Sequence, residues 1–149
     1  MSYSFEIKTS IDLFKKLQED YEDLKNNELS SRHAINCAMT AWHLTDWTYE
    51  EYRSTHGFTD IGKYRESLGC PNLKIMHDIA NGGKHLNVTR PKAGIADTVK
   101  VDGDFSRDFD PNDFLVGSLD LKMEDGTTKN FFDEVTVVLH FWEKYFNSK

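Results

Sequence analysis

The stretch that decides the fold runs Ala34-Ile35-Asn36-Cys37-Ala38-Met39-Thr40-Ala41-Trp42-His43-Leu44-Thr45-Asp46-Trp47. Its apolar residues fall at nearly every angle around a helix, which predicts a central helix covered on most sides by others. Ser30 or Ser31 offers the N-cap oxygen. The helix is expected over 31–53, with a charged tail from Tyr49 to Arg53 emerging into solvent.

Working outward, Phe14, Leu17, Tyr21 and Leu24 step along one helical face and predict a helix over 11–27, stopped at Asn26 and Asn27. On the other side, residues 54–71 form a connection with a short helix from Asp60 to Leu68, closed by Gly69, Cys70 and Pro71. Asn72 can cap a further long helix over 72–82. Gly82 and Gly83 are expected to end it, because glycine readily takes the left-handed C-terminal conformation. The pattern then changes. Thr98–Val101 is β-branched, Phe114–Met123 alternates with Leu115, Leu119, Leu121 and Met123 on one face, and Asp125-Gly126 signals a hairpin turn. Thr127–Asn130 is either a short return strand or a direct lead into the last helix, 131–146, which carries Phe131, Val135, Val138, Leu139, Trp142 and Phe146 at core spacing. The expected fold is mainly α: four main helices with a small antiparallel β-hairpin, about 97–130, inserted before the last. All 149 residues are read as one domain.

Bulk composition bounds the function. The net charge is −7, which argues against a broad basic surface for duplex nucleic acid but leaves room for a local basic pocket. Aromatic content is 13%, in keeping with a compact core that needs no disulfide or metal. No apolar run approaches the roughly 18–20 residues that span a bilayer, so no membrane is expected. Cys37 and Cys70 form neither a metal nor a redox spacing, and with no leader pattern the expected compartment is the cytoplasm. No cofactor is implied. Cys37 reads as a buried thiol, and Trp42, Trp47 and Trp142 as core or half-buried rim residues. Asp102, Asp104, Asp108, Asp110 and Asp113 lack the glycine and terminal glutamate of an EF-hand loop and read as a solvated loop.

Polar residues interrupt the central helix. Arg32, Asn36, His43, Asp46 and Glu50 step by 4, 7, 3 and 4 and share one face. Asn36 and His43 lie within the apolar run, where an unpartnered polar group costs about 1–3 kcal/mol. The 72–82 helix offers partners: His77, Asn81 and His85 step by four, with Asp78 close to their line and Lys84 at the end. The simplest packing gathers both sets in one cleft. That set is either a structural network fixing helix register or a ligand site. The two glycines beside Asn81 and His85 favour the latter for those two residues.

The stretch Ala80-Asn81-Gly82-Gly83-Lys84-His85 resembles the signature of the HEPN superfamily, compact helical-bundle domains that include many metal-independent ribonucleases of toxin–antitoxin and antiphage systems. That signature is an arginine, a polar residue that is often asparagine, three variable residues and a histidine. Asn81 and His85 match, and Ala80 stands where the phosphate-holding arginine would be. The segments 31–34 and 78–82 also resemble those of uncharacterised bacterial and phage proteins. The resemblance implies RNA or a nucleotide as ligand, a homodimer, and a protein partner encoded nearby.

Metal-free RNA cleavage needs a base, an acid and a cation, and histidine suits the first two. His85 and His43 are the expected acid–base pair. Lys84 or Arg32 stands in for the arginine, Asn81 orients the phosphate, and Asn36, Asp78 and His77 line the site. With Ala80 in the motif, a non-catalytic binder of RNA or a nucleotide is favoured over a ribonuclease. The alternatives are a protein-interaction subunit and a metal site formed by His77, His85 and His43.

Overall fold

The computed structural model describes residues 2–103 and 117–149. The acidic stretch read as a loop from Asp104, and the start of the alternating segment at Phe114 and Leu115, lie outside the described residues.

The described chain is mainly helical. Its elements run α1 (Ser10–Asn26), α2 (Ser31–Glu51), α3 (Arg53–His56), α4 (Ile61–Ser67), α5 (Leu73–Lys84), β1 (Ile95–Val101), β2 (Ser118–Met123), β3 (Thr128–Asn130) and α6 (Phe131–Asn147). Local chemistry sets the ends. Thr9 and Asp12 form a reciprocal capping box on α1, Ser30 caps α2 through the His33 amide, and Asp60 caps α4 through Lys63. The Asp12 carboxyl is held below its ordinary pKa chiefly by the Lys8 amide, then by Thr9. Asn72 precedes α5 but makes no capping bond. Its side-chain amide instead donates to Glu134 of α6.

α2 lies between α1, α5 and α6. Leu17, Leu24, Cys37, Leu44, Met76, Val135, Val138 and Trp142 meet in the fully buried centre. The Trp142 indole N–H donates to the Ala41 carbonyl at 3.1 Å, so α6 is keyed to α2 by a polar bond as well as by packing. Thr40 and Asp20 bond at 2.7 Å with Lys16 beside both, closing the α1–α2 contact.

The β element is a three-stranded antiparallel sheet in the order β1-β2-β3. Its hairpin turns at Asp125-Gly126, where Gly126 takes φ +88°, and Thr128–Asn130 is a short strand that abuts α6. Leu121 and Met123 point inward as the alternation predicts. β1 starts at Ile95, earlier than expected, with an irregularity between Ile95 and Asp97.

Three expectations change. Asn36 and His43 are not buried within the apolar run of α2 but exposed, together with Arg32 and Met39. Tyr49 is buried rather than emerging, because His56 and Tyr64 cover its ring at 5.2 and 5.5 Å. Gly82 and Gly83 stay within α5, which runs on to Lys84. They serve contact rather than termination. A Cβ at Gly83 would sit 2.8 Å from Cγ2 of Ile35, whereas one at Gly82 would meet nothing. Gly83 lets α2 and α5 approach closely.

Candidate functional site

The predicted polar residues separate into two groups. α5 carries a bonded chain. The Asp78 carboxylate accepts the Lys92 amide at 2.9 Å and the Ala93 amide at 2.8 Å, and accepts from His77 Nδ1 at 2.7 Å. An ionised carboxylate only accepts, so the proton sits on Nδ1 and Nε2 is free to accept from the Asn81 amide at 2.9 Å. His77 and Asp78 are buried. This network pins the 85–94 segment, which follows α5, back onto the helix.

Asn36 and His43 do not join it. They stand exposed on the outer face of α2 with Arg32. Of the five residues expected on one face, Arg32, Asn36, His43 and Glu50 are exposed together on the outer side of α2, not toward α5, while Asp46 is part-buried and paired with Arg65. Ile35 and Trp42 meet α5 instead, at Gly83 and His77. His43 follows Trp42 by about 100° of helical turn, which carries it into solvent. These contacts also make α2 and α5 antiparallel. His43 lies eight residues beyond the Ile35–Gly83 contact, on the order of 12–15 Å along the helix axis from the level of His85. Within one chain the two histidines therefore do not flank a single phosphate. Lys84 and His85 are exposed at the end of α5. The metal alternative fails as well. Among the described residues, no three His, Cys, Asp or Glu side chains stand close enough to hold an ion.

What the fold does assemble is a cleft of about 390 Å³ between α2, α4, the start of α5 and the pinned 85–94 segment. Trp42, Gly62, Arg65, Glu66, Cys70, Leu73, Lys74 and Lys92 line it. Trp42 is half-buried there, with the Arg65 guanidinium 4.4 Å and the Lys92 ammonium 5.4 Å from its ring centroid and the His77 ring edge-on at 4.8 Å. Arg65 is held in place. Its Nε donates to Thr45 Oγ1 at 2.9 Å and its Nη2 to Asp46 Oδ1 at 2.8 Å, while Thr45 donates to the Trp42 carbonyl at 2.8 Å. Lys74 adds a third cation from the first turn of α5, where the helix dipole also favours an anion. Burial pushes the Cys70 thiol up, partly offset by the Leu73 and Asn72 amides. The more deeply buried Cys37 thiol is pushed up to about 12, first by burial and then by the Asp20 carboxylate.

The other clefts have less convergent chemistry. One of about 530 Å³ beside Trp47 is lined by Asp46, Glu50 and Glu51, each already engaged by Arg65, Arg53 or Ser10. Another, of about 320 Å³ under the sheet, is walled largely by Ile35, Ile79, Val99 and Leu121.

Of the cleft residues, the sequence marks Trp42 only for packing and Cys70 only as part of a connection, and neither for a site. Arg65, Lys74 and Lys92 come from separate segments and share no spacing with Trp42, so no local pattern marks them. Comparison with protein-family models, with curated proteins and with solved structures finds no match to this chain. The cleft must therefore be read from its own chemistry. Among the described residues no helix is long and apolar enough to cross a membrane.

Proposed function

We propose that this protein is an HEPN-like helical bundle that binds RNA or a nucleotide without cleaving it, and that the Trp42 cleft is where it does so. The observation that carries the reading is the Trp42 ring with two cations, Arg65 and Lys92, gathered against it in an otherwise acidic chain. A flat base gains from stacking on indole and guanidinium planes, and a phosphate gains from nearby lysines. The two requirements are met in one cleft of about 390 Å³. The scattering of His43 and His85 and the alanine at position 80 favour binding over cleavage.

His77, Asp78 and Asn81 take a supporting role in this reading. Their polar atoms bond one another and the backbone at 92–93, so they hold Lys92 over Trp42 rather than touch a ligand.

Titration with a short single-stranded oligoribonucleotide, followed by tryptophan fluorescence, tests the proposal. Quenching is expected to saturate in wild type and to vanish in Trp42→Phe/Lys92→Ala. Engagement of two or three cations predicts a log–log salt slope of about −1.4 to −2.1 for a single strand. Saturable quenching that survives in that double variant would place binding elsewhere.

A further inference from the structure

The cleft's three cations share it with one exposed carboxylate. Glu66 lines it alongside Arg65, Lys74 and Lys92. Among the described residues its exposed carboxylate takes part in no hydrogen bond or ion pair, and the neighbouring Arg65 pairs with Asp46 instead. Inorganic phosphate or sulfate would leave that carboxylate without a partner, since neither brings a donor to it. A ligand that suits the whole cleft must bring an anion to the lysines, a flat ring to Trp42 and hydrogen-bond donors to Glu66.

We infer that the ligand is a guanosine monophosphate unit, with Glu66 reading the base. This rests on the nucleotide reading above and narrows it. An ionised carboxylate offers acceptors only. Guanine presents a ring N–H and an exocyclic amine side by side, two parallel donors that match its two oxygens. Adenine and cytosine set an amine beside a bare ring nitrogen, and uracil sets its N–H between two carbonyls. Each would turn a lone pair toward the carboxylate. Arg65 and Trp42 supply the stacking plane for any base, Lys74 and Lys92 hold the phosphate, and only Glu66 distinguishes one base from another. The cleft volume of about 390 Å³ accommodates one nucleotide unit and not a paired helix. That unit is either a free nucleotide or an unpaired guanosine of a single strand.

Calorimetric titration of the full chain with the four ribonucleoside monophosphates tests this. Guanosine monophosphate is expected to bind about tenfold more tightly than the others, the scale of one well-made bidentate base contact. Glu66→Gln replaces one acceptor with a donor at an exposed position, so the fold is kept, as circular dichroism would verify. In that variant the preference for guanine should collapse while affinity for adenosine monophosphate holds or rises. Lys74→Ala should weaken all four alike. Equal binding of all four bases, or a guanine preference that survives Glu66→Gln, would overturn the inference and leave nucleotide binding standing. Failure of every mononucleotide and of a guanosine-containing single strand would overturn both. If guanine is preferred, a strand that binds no more tightly than the mononucleotide assigns the free nucleotide as the source, and one that binds far more tightly, with steep salt dependence, assigns RNA.

Discussion

Trp42 and His43 are neighbours in the chain, yet one floors a cationic cleft and the other stands in solvent. The inner face of α2 presents Ile35 and Trp42 to α5, while the outer face presents Arg32, Asn36, Met39 and His43 to water. The difference shows that a polar residue inside an apolar run need not be buried. A central helix with three large neighbours still has a narrow uncovered strip, and that strip is where Asn36 and His43 fall. The chemistry gathers on the covered side, supplied by side chains from other segments.

The sharpest contrast in stability is expected between Asp78 and the outer strip. Asp78→Ala strips acceptors from two backbone amides and from His77 in a buried setting, a loss of about 3 kcal/mol and a drop in Tm of roughly 6–12 °C. Denaturant melts would measure it. A loss below about 1 kcal/mol would mean that the 85–94 segment is not pinned by this carboxylate.

Next in size is the effect on binding. Trp42→Ala removes the stacking plane and should weaken oligonucleotide affinity by about tenfold or more, while His43→Ala, one position away, should leave it unchanged. Equal effects of the two substitutions would erase the distinction between the faces.

The paired glycines give a smaller, signed test. Gly83→Ala forces a methyl against Ile35 and should cost about 1–2 kcal/mol net of its helix-propensity gain. Gly82→Ala meets nothing and should stabilise by about 0.5–1 kcal/mol. Calorimetric melts that show the same sign for both would contradict the close α2–α5 approach. Smallest of all, Asn36→Ala is expected to change stability by no more than about 0.5 kcal/mol, as at an ordinary exposed position. Thiol reactivity adds a kinetic version of the contrast. Cys70, part-exposed at the cleft, should alkylate in the native protein but more slowly than a free thiol because burial raises its pKa, and Cys37 only on unfolding.

The helical scaffold was legible because it rests on short-range rules. The periodic sets in α1 and α6, Ser30 at the start of α2 and Asp125-Gly126 in the hairpin each carry their signal within a few residues. The limits of that logic show at Gly82-Gly83. The same two letters can end a helix or admit a neighbouring one, and only the position of Ile35 decides. The site was less legible still. Stepping by four correctly linked His77 to Asn81 within one helix. The face on which Asn36 and His43 lie depends on how α2 is rotated against its neighbours, which the spacing within α2 does not specify. Arg65 and Lys92 reach Trp42 through tertiary packing and through a carboxylate that grips a distant backbone, and neither leaves a mark in local sequence.

The most direct test follows the three indole N–H signals by ¹H–¹⁵N NMR, assigned by single Trp→Phe variants, during titration with a single-stranded oligoribonucleotide. The account predicts that the Trp42 signal moves and saturates while those of Trp47 and the buried Trp142 stay in place. A titration in which Trp47 shifts and Trp42 does not would contradict it.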